Sequence, residues 1–199
     1  MTAATTPKGE RRRAALVAAA GELLVEGGFD SVRHRSVAQR ARIPLAATTY
    51  YFESLGDLLS NAVAYAGDHD VAGVRSRADA VTRRRRGAGA TADILATVFF
   101  PTDDSEERRE VVSRYERLVV STRDPRLMDL QARLREELLA LHVEVLERSG
   151  RVADRRKVQR LIAVEDGAAL GAFTRPDGDP HKAVRDALSD VIDTLAPAS

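Results

Sequence analysis

Apolar residues recur every three to four positions along nearly the whole chain, while the seven prolines and most of the glycines fall between those stretches. That spacing is the repeat of an amphipathic helix, and no segment shows the strict alternation of a half-buried strand. The first stripe, over about residues 9–26, carries Ala15, Leu16, Ala19, Ala20, Leu23 and Leu24 and stops at Gly27 and Gly28, which suit a helix end. Short helices are predicted over about 34–41 and 44–52, with Pro44 at the first position of the second, where a missing N–H costs nothing. A long helix begins near Leu55 and extends toward the arginines at 83–86, whose charge suits a helix C-terminus; Gly67 and Gly73 are its expected points of bending. Further helices over about 91–100, 103–123, 126–149, 153–174 and 180–195 complete an all-α chain of about nine helices. Residues 1–8 are expected to form a disordered tail.

At 199 residues the chain has room for one ordinary domain or two small ones sharing a core. It has no cysteine, which excludes disulfides, thiolate zinc sites and a cysteine nucleophile. Hydrophobic residues at 44% and charged residues at 31% are globular proportions. No apolar run approaches the roughly 20 residues that span a bilayer, and the amino end lacks the apolar stretch of a signal peptide, so a cytoplasmic protein with no membrane partner is expected. The four histidines (His34, His69, His142, His181) fall on different elements, and no nucleophile elbow, phosphate-binding glycine loop or zinc-binding histidine pair is present. Neither catalysis nor a cofactor is expected.

Charge is unevenly spread. Residues 1–55 carry +3 and the remainder −2, an asymmetry that points one end of the chain toward a polyanion. The two short helices occupy that basic end. Val37, Ala38, Ala41 and Ile43 can seal a close crossing between them, as in a helix-turn-helix. The second helix then offers Leu45, Ala46, Ala47, Thr48 and Thr49, short side chains that let its backbone approach base edges in a major groove. Tyr50 and Tyr51 follow as phosphate donors, and Arg33, His34 and Arg35 open the preceding helix where cations and free N–H groups meet a phosphate. Solvated arginines and a tyrosine packed on the first helix are the plainer alternatives, the latter of equal weight.

The run FDSVRHRSVAQRARIPLAATTYYFESLGDLL, through VAQRA, PLAATTYYF and SLGDLL, resembles the DNA-binding domain of the TetR/AcrR family of bacterial transcriptional regulators over about residues 10–70. The resemblance implies a helix-turn-helix at about 33–52 within a DNA-binding domain of residues 9–70. It also implies a larger helical domain over 71–199 that binds a small molecule, and a homodimer formed mainly by the last two helices. Repression relieved by ligand is the implied activity. It places Leu45, Ala47, Thr48 and Thr49 against bases or adjacent sugars and Tyr50 and Tyr51 against phosphate. Two positions depart from the family pattern: Arg42 replaces the usual turn glycine, at a cost of about 1 kcal/mol if left-handed. Arg33 replaces a Ser or Thr cap, leaving Ser31 or water to serve the helix start.

In the last two helices, Leu161, Ala168 and Ala172 lie in a stretch rich in small residues, and Val184, Leu188, Val191, Ile192 and Leu195 form a stripe. Together they are assigned to a dimer interface, with packing inside one chain as the alternative. A symmetric dimer places two recognition helices roughly 34 Å apart and calls for palindromic double-stranded DNA. Candidates for a ligand cavity are Tyr65, His69, Phe99, Phe100, Tyr115, His142, Glu165, Asp166 and Phe173, polar or aromatic groups within apolar helical stretches. Glu165 and Asp166 stand out, since a buried carboxylate needs a partner, either a cationic ligand or an arginine. A metal sensor built on Asp68, His69, Asp70 and His142, and a helical interaction scaffold without DNA binding, are the alternative functions.

Overall fold

The computed structural model describes residues 6–101 and 105–199. Among these residues it contains nine helices: α1 (Pro7–Ser31), α2 (His34–Ala41), α3 (Leu45–Tyr51), α4 (Leu55–Asp79), α5 (Ala88–Phe99), α6 (Ser105–Ser121), α7 (Pro125–Arg148), α8 (Arg155–Phe173) and α9 (Pro180–Leu195). No β-sheet joins them; a single isolated bridge pairs Arg151 with Ala198. The helix starts follow local chemistry. Asp154 and Asp179 cap α8 and α9 by accepting from the N–H groups of Lys157 and Lys182, both at 3.0 Å.

Of the expected tail, residues 1–5 lie outside the described residues, whereas Pro7 and Lys8 are helical. Thr6 caps that end by accepting from the Gly9 N–H, and Pro7 fits the first turn. Gly27 and Gly28 do interrupt α1; Gly28 has φ 68°, a left-handed conformation that glycine adopts without cost. Two expectations for α4 fail. Gly67 and Gly73 lie inside one continuous helix, and the arginines at 83–86 lie outside any helix. Their backbone is held elsewhere, Arg84 and Arg86 donating to the carbonyls of Arg148 and Ser149, each at 3.0 Å.

Packing divides the chain into two units: residues up to 70 together with 112–132, and residues 71–111 together with 133–199. In the first, Leu16, Ala20 and Leu24 of α1 are sealed with Val37, Phe52, Leu58, Ala62, Val63 and Leu127. Complete burial of each leucine stabilises by roughly 1.5–3 kcal/mol. Gly21 permits the close approach of α1 and α4, because a Cβ there would run into the Tyr65 ring. In the second unit, α9 packs on α8 and on α5 through Val184, Leu188 and Ile192.

Candidate nucleic-acid interface and buried polar core

The helix-turn-helix is held from behind by the first unit's core. Val37 and Ala38 of α2 are buried, and Ile43 and Ala47 pack against the same cluster. The turn depends on Arg42, which adopts φ 55° and ψ 41° and donates its N–H to the Ala38 and Gln39 carbonyls. Among the described residues it is the one non-glycine with positive φ, so the condition under which the arginine carries a steric cost is met. Pro44 sits one residue earlier than expected, as the N-cap of α3 with extended backbone. The start of α2 is served by neither Ser31 nor a side chain of Arg33. Ser36 Oγ accepts the Arg33 backbone N–H at 3.1 Å, while Ser31 Oγ donates to the Leu23 and Gly28 carbonyls.

The burial of α3 separates the residues that sequence had grouped together. Leu45, Ala46, Thr49 and Tyr50 are exposed, Tyr50 to 77%. Thr48 is fully buried, with its hydroxyl donating to the Leu45 carbonyl at 2.7 Å, so it cannot reach a base. The reason is helical spacing: Thr48 and Phe52, four apart, share the face turned to the core. Ala47 and Tyr51 are half-buried against that core, and Tyr51 meets the exposed Tyr50 edge to face with ring centroids 5.0 Å apart. Beside α3, Arg35 is exposed and His34 half-buried. Arg33 is exposed and donates to Asp30 Oδ1 at 2.9 Å.

The ligand candidates are distributed over both units. In the first, Tyr65 stacks loosely on the exposed His69, with centroids 6.4 Å apart, and Tyr115 is buried. In the second, three candidates from three helices meet. His142 of α7 stacks on Phe99 of α5, with centroids 3.4 Å apart and planes 14° from parallel. Its Nε2 lies 2.8 Å from Glu165 Oε2 of α8, and its Nδ1 lies 2.7 Å from the Leu138 carbonyl. Within the chain the partner of Glu165 Oε2 is thus a histidine, where the sequence left a cationic ligand or an arginine open. Its other oxygen, Oε1, is buried and has no hydrogen-bond partner. Phe100 is buried at the end of α5, Asp166 is half-buried, and the half-buried Phe173 lies 5.0 Å below the Arg108 guanidinium.

Sequence reasoning missed the buried ion cluster of the first unit. Asp70 of α4 accepts two bonds from Arg114 of α6, at 2.9 and 2.7 Å, and one from Arg117 at 3.1 Å. The available signal was the three-residue spacing of Arg114 and Arg117, which puts both on one side of α6. With Asp70 committed to arginines, the acidic stretch loses the carboxylate that a metal site would use. Among the described residues no group of three or more His, Asp or Glu side chains could hold a metal ion.

The dimer assignment is corrected for five residues. Leu161, Ala172, Val184, Leu188 and Ile192 are fully buried inside one chain, because α8 and α9 turn their apolar stripes toward each other. Ala168, Val191 and Leu195 are half-buried, and Gly167, Leu170 and Gly171 of α8 are exposed.

A helix-turn-helix with an outward recognition helix, carried by a chain whose other elements are all helical, defines a helix-turn-helix regulator. Residues 86–194 match the family described as Tetracyclin repressor-like, C-terminal domain. The multidrug binding protein EbrR, solved in complex with proflavin, is 26% identical, with a TM-score of 0.68 over 91% of this chain and 99% of its own. Its complex with ethidium aligns at 26% identity and TM-score 0.67, covering 90% of this chain and 98% of that one. A TetR-family transcriptional regulator from Mesorhizobium loti shares the fold at 13% identity, with a TM-score of 0.72 over 96% of this chain and 99% of its own. Comparison with curated proteins gives no match. This chain belongs to the TetR family of transcriptional regulators and is a transcription factor rather than an enzyme. Among its described residues no helix is long and apolar enough to cross a membrane.

Proposed function

We propose that this regulator is a cytoplasmic repressor that binds a palindromic operator as a homodimer and is released by a small-molecule inducer. Residues 9–70 are the DNA-binding domain, and residues 71–199 bind the ligand and form the dimer. The observation that carries this reading is the outward face of α3, where Leu45, Ala46, Thr49 and Tyr50 are all exposed beside Arg35. Short side chains on that face allow the helix into a major groove, and the Tyr50 hydroxyl and Arg35 supply phosphate contacts. Support for a ligand comes from EbrR, which is solved with proflavin and with ethidium. Support for the dimer is the outer surface of α8, where Leu170 is 46% exposed between Gly167 and Gly171, with Ala168 and the α9 residues Val191 and Leu195 only half-buried.

Selection of bound fragments from genomic DNA tests the proposal. The expected result is an enriched inverted repeat with half-sites about one helical turn apart, bound two chains per site and with affinity that falls as salt rises. A small molecule that stabilises the protein should weaken that complex, since an effector must favour one state over the other. Enrichment of no sequence, with binding equal on all fragments, would overturn the repressor reading.

A further inference from the structure

Six buried side-chain atoms among the described residues lack a hydrogen-bond partner, and three of them are the Nε atoms of Arg86, Arg148 and Arg151. These arginines meet at one place in the second unit. Arg84 and Arg86 donate their amides to the Arg148 and Ser149 carbonyls, and the Arg151 guanidinium reaches back to the Arg86 carbonyl at 3.2 Å. A Cβ on Gly150 would stand 3.2 Å from the Arg85 Cα, so the segment at 83–86 lies directly on the turn that follows α7. The end of the chain joins the same junction, Val152 donating to the Pro197 carbonyl at 2.8 Å and Arg151 to Asp193 at 2.5 Å. From that turn α8 opens with Arg155, Arg156 and Lys157, all exposed.

Packing thereby gathers charge that the sequence spreads out. Four arginines at 83–86, five cations against Glu147 and Asp154 at 147–157, and Asp193 near the chain end leave a formal +6, in a chain whose total is +1. Some of these cations are matched: Asp79 and Glu144 serve Arg148, Asp193 serves Arg151 and Glu136 serves Arg155. No aspartate or glutamate among the described residues pairs with Arg83, Arg84, Arg85 or Arg86, and none pairs with Arg156 or Lys157. Arg83, Arg84 and Arg85 are exposed, while burial, and after it the charge of Arg84, holds the Arg86 guanidinium below the ordinary arginine range. Like charges held this close oppose folding, and a bound polyanion would relieve them.

We infer that this basic face of the second unit binds the phosphate backbone of duplex DNA without reading its sequence, a contact additional to that of α3. Five of the six cations without a carboxylate partner are arginines, whose planar fork can give two parallel hydrogen bonds to one phosphate. Arg156 follows Gly150 by six residues, so its Cα lies no more than about 22 Å away. Over about 20 Å a duplex presents roughly twelve phosphate charges, enough to meet every cation of the face. Two other anionic partners fit less well. A membrane surface is held through an apolar face as well as through charge, and of the exposed large apolar side chains only Val152 belongs to these segments. An acidic peptide would have to be brought here, whereas duplex DNA is the molecule on which a transcription factor of this family acts. Phosphate contacts raise affinity for any sequence alike, which leaves the choice of operator to α3.

Two measurements on the full chain test this. The first is the salt dependence of binding to a duplex unrelated to the operator. Arg83→Gln, Arg84→Gln and Arg156→Gln in one chain should reduce the slope of log affinity against log salt by about 2–3 and weaken binding by about tenfold near 0.1 M salt, with operator preference unchanged. The second exploits the absence of cysteine: Val152→Cys, at an exposed position among the arginines, carries a photocrosslinker. It should label unrelated duplex DNA, also in a chain where Tyr50→Glu has removed recognition by α3, and the labelling should vanish at high salt. The crosslink decides the matter if the triple variant fails to fold. An unaltered slope in a folded triple variant, or labelling lost with Tyr50→Glu alone, overturns the inference and leaves the operator reading of α3 standing. Poly-glutamate that displaces the duplex at equal charge, or labelling of anionic phospholipid vesicles in its place, assigns the face to another anion and overturns the inference too. Labelling of unrelated duplex by a chain that selects no operator sustains this contact while the repressor reading falls.

Discussion

Asp70 receives the Arg117 guanidinium at 3.1 Å with both side chains sealed from solvent, their exposures being 5% and 2%. Arg114 grips the same carboxylate through two nitrogens, and Arg117 also donates to Ser113 Oγ at 2.9 Å. Removing the negative partner of such a group leaves buried cations, which costs far more than loss of a surface pair. Asp70→Asn should therefore lower stability by about 3 kcal/mol, or roughly 6–12 °C in melting temperature for a chain of this size. Thermal and denaturant melts measure it, and a loss below about 0.5 kcal/mol would place the contact with exposed salt bridges.

Arg42 offers the opposite prospect. Its left-handed conformation closes the turn between α2 and α3 at a steric cost that glycine does not incur. Arg42→Gly should stabilise the protein by up to about 1 kcal/mol, offset in part by the greater freedom of glycine in the unfolded chain. A melt that shows clear destabilisation would mean that the arginine side chain contributes contacts that outweigh the backbone strain.

On α3, burial separates the roles of two adjacent threonines. Thr48→Val removes the hydroxyl bond to Leu45 at 2.7 Å, so it should reduce stability by about 1 kcal/mol while leaving the preferred operator sequence unchanged. Exposed Thr49 should behave in reverse: Thr49→Val should alter base preference with little change in melting. Tyr50→Phe should weaken operator and unrelated DNA alike, by about fivefold, as loss of a phosphate contact does. Binding measured across a panel of operator variants distinguishes the three patterns.

Glu144 gives stability an acid-dependent component. Burial alone would push its carboxyl up, but hydrogen bonds from Arg75 at 2.5 Å and Arg148 at 2.6 Å outweigh that and hold it below the usual carboxylate range. A folded-state value below the unfolded one means that the contribution is complete above the ordinary carboxylate range and is lost as pH falls through the folded value. Glu144→Gln should therefore melt lower than wild type near neutral pH, by an amount corresponding to about 1 kcal/mol, and the two should converge in strong acid. A constant difference across the titration would assign the effect to packing.

Helix positions were legible because apolar spacing and punctuation agree along this chain: Gly27 and Gly28 interrupt α1, and Pro125 and Pro180 begin α7 and α9. The two failures in α4 have separate causes. Glycine lowers helix propensity by only about 1 kcal/mol, which packing overrides at Gly67 and Gly73. Arg84 and Arg86 place their backbone N–H groups on the carbonyls at the end of α7, a long-range pairing that no local pattern reveals. Facing direction was the least legible quantity. A seven-residue helix shows too little periodicity to separate Thr48 from Thr49, and the apolar stripes of α8 and α9 read the same whether their partner is each other or a second chain. Glu165 was marked by its apolar neighbours, but its pairing with His142 depends on the packing of α7 on α8.

The join between the segment at 84–86 and the end of α7 is made by main-chain groups, Arg84 and Arg86 donating their amides to carbonyls. Peptide groups are common to every residue type except at proline, so the bond from position 84 is indifferent to the side chain it carries, whereas the Arg86 guanidinium adds bonds of its own to the Arg148 carbonyl and Ser149 Oγ. Positions 83 and 84, both exposed, can consequently drift among lineages with no loss of anchorage, and only a proline at 84 would unpick the stitch.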